Sequence, residues 1–495
     1  MNYYLGLDIG SSSIKAALVE VESGKSIGVV QEPEKEMGML ALQNGWAEQK
    51  PNDWWLHICN AIKRLKKEHD VSRTQIKGIG ISYQMHGLVL VDKAGNPLRK
   101  SIIWCDSRAV EIGNKAFNEI GVDKCSSQLL NSPANFTASK LKWVKDNEPD
   151  IYKRIYKFML PGDYIAYKFS NTMNTTISGL SEGIFWDFEN DSIADFLLEY
   201  YNINKAFVPD IVETFGVQSL VDEAGETESG LAAGTPILYR AGDQPNNALS
   251  LNVFNPGEVA ATGGTSGVVY AVTDSLSVKE SARVNNIAHV NYKKGDATRI
   301  GKLLCVNGAG IQYRWLLNNL AVNSYEEMNT LAAEIPVGSD GVCVIPFGNG
   351  AERMLNNKEI GTRIVNMNLN NHHKGYLCRA ALEGIAFSFV YGMEIMTSDG
   401  IVPSVIRAGN DNLFRSEIFS NTVATLIEQE IEIYNTTGAI GAARAANLHD
   451  GDFEAFGKVI MDYDHVMTFM PFKDKTPYLE AYENWKKELE LVLNK

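Results

Sequence analysis

Three short segments of this 495-residue chain combine residue types that can handle phosphate and protons. Asp8-Ile9-Gly10-Ser11-Ser12-Ser13 puts an acidic residue before a run of small ones. The amides and hydroxyls of such a turn can cradle phosphate oxygens, because no bulky side chain blocks the approach. The carboxylate can hold Mg2+, usually through water. A plain hairpin with a solvated Asp8 accounts for the same residues. Gly263-Gly264-Thr265-Ser266-Gly267 is a second turn of this kind, with a flexible loop as its alternative. Ala241-Gly242-Asp243-Gln244 follows an apolar stretch, Pro236–Tyr239. Asp243 either caps a helix that starts there or acts as a general base between two domains. A hydroxyl is a poor nucleophile at neutral pH. A carboxylate that takes its proton helps a phosphoryl transfer, and positioning contributes more.

The elements that must hold these residues are legible from apolar periodicity. Residues 3–10 read as a buried strand and 14–21 as its hairpin partner, with a third strand near Ile27–Gln31. Trp54, Ile58, Ile62 and Leu65 recur at helical spacing over 53–69. Residues 76–82 and 88–92 read as short strands, and 101–104 as a continuation of the sheet. Strands and helices then alternate, which implies an α/β core. In the second half, 258–263, the turn at 264–267 and the run VVYAV repeat the strand–turn–strand pattern. The two hairpins suggest two related domains facing each other. Together their turns point to an actin-like nucleotide clamp. The expected domains are 1–254 and 255–495, and the tail from Glu480 reads as an amphipathic surface helix.

Composition removes several classes. The net charge is −14 with no basic block, which argues against nucleic acid and anionic membrane as partners. No apolar run approaches the roughly 20 residues of a bilayer span, and Met1–Gly10 lacks the marks of a signal peptide. The six cysteines are scattered, which fits a reducing cytoplasm better than a zinc site or disulfide framework. His372-His373 reads as a solvated loop pair rather than a metal site. Gly24-Lys25-Ser26 fails as a P-loop because position 19 is Val, and Gly78-Ile79-Gly80 meets Tyr83 where a dinucleotide fingerprint needs Gly or Ala. No protein-kinase signature set is present.

Further segments carry a resemblance. Lys140-Leu141-Lys142-Trp143-Val144-Lys145-Asp146-Asn147 is similar to the first signature segment of the FGGY carbohydrate kinases, with Asn135 departing from its usual first residue. Ile103-Trp104-Cys105-Asp106-Ser107-Arg108, Leu160-Pro161-Gly162-Asp163-Tyr164, Asn307-Gly308-Ala309-Gly310 and Arg379-Ala380-Ala381-Leu382-Glu383-Gly384 also resemble family segments, in order and over nearly the whole chain. Tyr83-Gln84-Met85-His86-Gly87 looks like the Gln-Met-His-Gly of the family's xylulokinase branch, where glycerol kinases carry Arg-Glu at positions 85 and 86. His86 can donate to or accept from a sugar hydroxyl, and Met85 offers an apolar wall. A strand-end His86 satisfied by backbone is the alternative. Gln244 is closer to glycerol kinases. Arg407-Ala408-Gly409-Asn410 replaces a richer glycine run, residues 174–183 lack an Asp often found there, and Met354-Leu355 stands where Thr-Pro is usual.

The resemblance implies two ribonuclease H-like (actin-like) ATPase domains with a deep cleft between them. It implies ATP and Mg2+ as cofactors, a small sugar as partner, and transfer to O5 of D-xylulose. It suggests a homodimer. Asp243 and Asp8 are the expected catalytic residues, with both also near the metal. Met85, His86, Trp104, Asp106, Asp243 and Gln244 are expected at the sugar. Ser11, Ser12, Ser13, Gly264, Thr265, Gly310, Gly409 and Asn410 are expected at the nucleotide, the last three around adenosine. A kinase for glycerol, ribulose or another polyol, and a non-kinase actin-like ATPase, are the competing readings.

Overall fold

The computed structural model describes residues 1–448 and 451–494, and every side chain among them except that of Asn412. Two mixed sheets organise the chain. The first contains β1 (Tyr3–Ile9), β2 (Ile14–Glu20), β3 (Ser26–Glu32), β4 (Ile76–Tyr83), β5 (Phe215–Leu220) and β6 (Pro236–Gly242), in the order β5-β6-β4-β1-β2-β3. The second contains β7 (Glu258–Gly263), β8 (Gly267–Thr273), β9 (Asn285–Ala288), β10 (Ile300–Val306), β11 (Val405–Gly409), β12 (Ile431–Tyr434) and β13 (His465–Phe469), in the order β9-β10-β8-β7-β11-β12-β13. Apart from β9, the second sheet repeats the first. Each has a hairpin, an antiparallel third strand, two parallel strands on the other side and an antiparallel edge strand. The internal echo read from the two hairpins therefore extends to the whole of both sheets.

The helices that matter here are α1 (Pro51–Glu68), α2 (Thr137–Asn147), α3 (Ile177–Glu182), α4 (Asp243–Ser250), α5 (Gly310–Asn319), α6 (Lys374–Ser398), α7 (Gly438–Ala445) and α8 (Thr476–Leu493). Pro51 starts α1, Asp53 lies in its first turn, and Lys66 and Lys67 lie in its last, so both ends suit the helix dipole. Its buried Trp54, Ile58, Ile62 and Leu65 pack with Leu5, Leu7 and Ile9 of β1.

The two-residue period of β1 sends Tyr4, Gly6 and Asp8 to the opposite face. There Tyr4 packs with Ala439 and Ala443 of α7, a helix from the far half of the chain. A Cβ on Gly6 would lie 1.9 Å from the Ala439 carbonyl oxygen, and one on Gly80 would lie 1.8 Å from that of Ala442. In the other direction, Ala248 and Leu249 of α4 pack with Ala260, Tyr270 and Val272 of the second sheet. The helices α4 and α7 are thus packed between the two sheets. Asp8 and Asp243 stand at this junction.

Two local expectations differ. Residues 101–102 do not extend the main sheet. They pair with Glu48–Gln49, and Val89–Val91 pairs with Lys157–Met159, each as a separate two-stranded ribbon. The tail helix α8 is amphipathic as read and buries Tyr482, Trp485 and Leu489, with Trp485 Nε1 donating to the Val344 carbonyl at 2.9 Å. Lys495 lies outside the described residues. His373 caps α6 through Gly375 N, and His372 Nδ1 accepts from Asn368 N.

Candidate active site

Asp8 ends β1 and Asp243 begins α4. Asp243 is the first helical residue rather than the N-cap, which is Gly242, so the capping alternative is corrected. Burial pushes the Asp243 carboxyl up to about 7, the nearby Asp8 pushes the same way, and backbone N–H groups oppose both. Asp8 is also raised by burial, against the pull of Lys15 and of Ser82, whose Oγ donates to Asp8 Oδ1 at 2.9 Å. Gly438 leaves room here, since a Cβ on it would lie 2.8 Å from Asp8 Oδ2. Both carboxyls are raised by desolvation, and Asp8 raises Asp243 further, an arrangement that suits a divalent cation. Among the described residues no group of three or more His, Cys, Asp or Glu could hold a metal alone. The pair would share an ion with phosphate oxygens and water.

The first turn is held from below. Gly10 N donates to the Ser13 carbonyl at 3.0 Å, and Met37 N to that of Ser12 at 2.7 Å. Gln49 Nε2 donates to the Ser11 carbonyl at 2.6 Å, and Trp54 Nε1 fixes the Gln49 amide at 3.1 Å. Trp104 is 52% exposed, and its indole N–H reaches Ser11 Oγ at 3.3 Å. The candidate sugar-side tryptophan and the candidate phosphate turn are therefore in contact.

Met85 and His86 follow β4. Met85 packs against Gly242, where a Cβ would meet its Cγ at 2.6 Å, and so lies beside the start of α4. His86 sits in the left-handed region at φ 60°, a strained position for a residue with a side chain. Glu182 at the end of α3 holds it. Its Oε2 accepts from His86 N, and its carbonyl lies 2.9 Å from His86 Nδ1. A carbonyl only accepts, so Nδ1 carries the hydrogen and Nε2 is a bare acceptor. Burial drives the imidazole down to about 3, with Lys140 and Arg353 adding repulsion. The ring stays neutral near neutrality. Phe136 meets it edge-on at 4.8 Å. Backbone contact thus accounts for one ring nitrogen of His86 and leaves the other without a partner among the described residues.

Asp106 is placed differently from expectation. It is fully buried, and its oxygens accept from Ala47 N and from the backbone and guanidinium of Arg108. Its carboxylate has no capacity turned toward a sugar, and its part is to hold the loop that presents Trp104. Gln244 Oε1 is buried beside Asp243 with no protein partner among the described residues, which leaves it open to a ligand donor.

In the second half, Gly264 and Thr265 accept from Gly310 N and Ile311 N at 3.0 Å each, which seats the second turn on the start of α5. A Cβ on Gly310 would lie 2.3 Å from the Gly264 carbonyl oxygen. Glycine is needed there for the turn itself. Next to the turn opens a pocket of about 840 Å3, lined by Gly264, Thr265, Gly310, Tyr313, Asn329 and Arg415 among others. Gly409 and Asn410 are not in its walls, which take Leu413 and residues 415–418 from the segment just beyond. Asn410 N instead donates to the Tyr434 carbonyl at 2.7 Å, extending the β11–β12 pairing.

Sequence reasoning missed the supports. Lys140, noted only as part of a signature segment, is buried, and its ammonium donates to the carbonyls of His86 at 2.9 Å and Ile103 at 3.0 Å. Burial lowers it to about 8. It ties together the two chain segments that carry His86 and Trp104. A lysine amid apolar positions of α2 was a usable signal. Glu182 and Gln49 carried none.

Two repeated α/β lobes, a small-residue turn from each, and a carboxylate pair at the junction define a two-domain phosphotransferase of the actin-like kind. The chain belongs to the FGGY family of carbohydrate kinases: that family's N-terminal domain matches residues 3–250 and its C-terminal domain residues 259–449. A xylulose kinase of Haemophilus influenzae is 26% identical over 97% of this chain and 98% of its own. The structure of a "xyloylose kinase" from Brucella ovis superposes with a TM-score of 0.88 at 24% identity, covering 99% of both chains. That of Plasmodium falciparum glycerol kinase with ADP does so at 0.89 and 20% identity, covering 100% of this chain and 98% of that one. The fold is common to kinases with different acceptors. No helix among the described residues is long and apolar enough to cross a membrane.

Proposed function

We propose that this carbohydrate kinase transfers the γ-phosphoryl group of ATP to the terminal hydroxyl of a ketopentose, taking D-xylulose to D-xylulose 5-phosphate. The observation that carries this reading is Asp243, a half-buried carboxyl that desolvation pushes up to about 7, between Asp8 and the Met85–His86 edge. A base near the working pH can take a hydroxyl proton as the P–O bond forms. Asp243 would orient that hydroxyl for in-line attack. His86 Nε2 would accept from a second sugar hydroxyl, Gln244 Oε1 from a third, and Trp104 and Met85 would wall the carbon edge. Ser11–Ser13 and Gly264–Thr265 would grip the phosphates, and the pocket lined by Tyr313 and Asn329 would take the nucleoside. Asp8 and Asp243 would hold Mg2+, directly or through water. When bound, it supplies positive charge to the phosphate oxygens. Closure of the cleft would keep water from competing with the sugar. The xylulose kinases among the relatives support the choice of sugar.

A second reading, a kinase for glycerol or another polyol, draws on Gln244, which resembles glycerol kinases. A panel of ketopentoses, aldoses, glycerol and pentitols in a coupled ADP-release assay separates them. The expected result is fastest turnover on D-xylulose. ATP hydrolysis that no sugar stimulates would instead point to an actin-like ATPase.

A further inference from the structure

Lys140 is fully buried on α2. Its ammonium meets no carboxylate at ion-pair distance among the described residues. It is spent on two backbone carbonyls instead, those of His86 at 2.9 Å and Ile103 at 3.0 Å. An ammonium taken out of water without a paired anion is costly, and an apolar side chain would fill the same place with less penalty.

The two carbonyls lie where a strand pairing ends. Leu88 N donates to the Ile102 carbonyl at 2.9 Å, an antiparallel bridge between the segment after β4 and the one before Trp104. Carried two residues further, that register sets His86 opposite Trp104. Two carbonyls drawn to one point cannot bond each other, and a shared donor is what joins them. The backbone of His86 is thereby gripped from both sides. Glu182 Oε2 accepts from its N–H at 2.9 Å, and Lys140 donates to its carbonyl. Both bonds bear on a residue at φ 60°, a conformation that only its surroundings maintain.

We propose that Lys140 is a positioning residue of the acceptor site, holding His86 and Trp104 at the separation that a bound sugar spans. It acts through those two residues and not on the sugar itself. This rests on the reading that His86 and Trp104 meet the sugar, and deepens it. The Trp104 loop has further supports. Arg108 pairs with Asp106 at 2.7 Å and with Glu48 at 2.8 Å, and its guanidinium lies 3.8 Å from the centre of the Trp46 ring. Loss of the ammonium therefore frees the separation and leaves the loop folded.

The test compares Lys140→Met, which keeps most of the length and removes the donors, with the wild-type protein, each with and without His86→Ala. The acceptor is the compound of the panel above with the fastest turnover, so the choice of sugar does not bear on the outcome. Lys140→Met should raise the acceptor KM about tenfold or more and leave the ATP KM within about threefold. In the His86→Ala background it should raise the acceptor KM by less than about threefold, because residues that act through one another are not additive. An unchanged acceptor KM, a parallel rise in the ATP KM, or equal effects in the two backgrounds overturns the proposal. If His86→Ala itself keeps a wild-type acceptor KM, the sugar contact of His86 has failed, and the role of Lys140 through it falls as well. A His86 effect without a Lys140 effect defeats the positioning role alone. Should Lys140→Met fail to fold, Lys140→Gln decides by the same cycle, since its amide ends one bond short of the two carbonyls.

Discussion

At the scale of single residues, burial decides which groups are reactive. Asp243 stands at about 7 because it is desolvated beside another carboxylate. Asp243→Ala should lower kcat by about 10^2 to 10^4 while ATP still binds. Near-normal turnover in the coupled assay would remove it from the base role. His86→Ala should raise the sugar KM more than it lowers kcat, and an unchanged KM would reject the sugar contact. His289 offers a stability test away from the site. It is fully buried, with Nε2 donating to the Val253 carbonyl at 3.0 Å and Nδ1 accepting from Tyr270 OH at 2.9 Å. Burial drives it down to about 3. A histidine with a depressed folded pKa contributes stability above its unfolded value, about 6.5, and loses it as pH falls toward 3. His289→Gln should flatten the acid loss of unfolding free energy relative to wild type, by up to about 1.4 kcal/mol per pH unit. Parallel pH profiles from urea titrations would contradict this.

At the scale of elements, the site depends on helices that cross between sheets. The α7 helix brings Gly438 beside Asp8 only because Gly6 and Gly80 let its backbone approach β1 and β4. The Cβ of Gly80→Ala would fall 1.8 Å from the Ala442 carbonyl oxygen, a clash with backbone that a rotamer change cannot relieve. The variant should lose about 1–3 kcal/mol or more, seen as a lower Tm in a thermal melt. A wild-type Tm would mean that α7 is not seated on the sheet in solution. The two strand–turn–strand units at residues 3–21 and 258–273 were legible because both hairpins pair near neighbours with apolar strands and a small-residue turn. The stretch at 101–104 misled, because a short apolar run does not tell a main sheet from a two-residue ribbon.

At the scale of the whole molecule, the lobes are interlocked rather than strung together. The α7 helix from residues 438–445 completes the core of the first sheet, and α4 completes that of the second. A fragment of residues 1–254 therefore lacks the cover for Tyr4, Ala17 and Val19. It should expose that apolar face and unfold with low cooperativity in urea. A fragment that unfolds in a steep two-state transition at wild-type denaturant concentrations would show the first lobe to be self-sufficient.

The residues in order were enough to establish which short segments could meet phosphate, where the hairpins lie and how often strands and helices alternate. Those features depend on backbone preference and on apolar spacing among near neighbours. Tertiary structure alone decided that Asp8 comes near Asp243, that Glu182 and Lys140 hold His86, that Asp106 is spent on Arg108, and that the pocket beside the second turn takes its wall from past Gly409 and Asn410. Desolvation and charge coupling arise between groups hundreds of residues apart in the chain, and nothing in local periodicity encodes which of them will be neighbours.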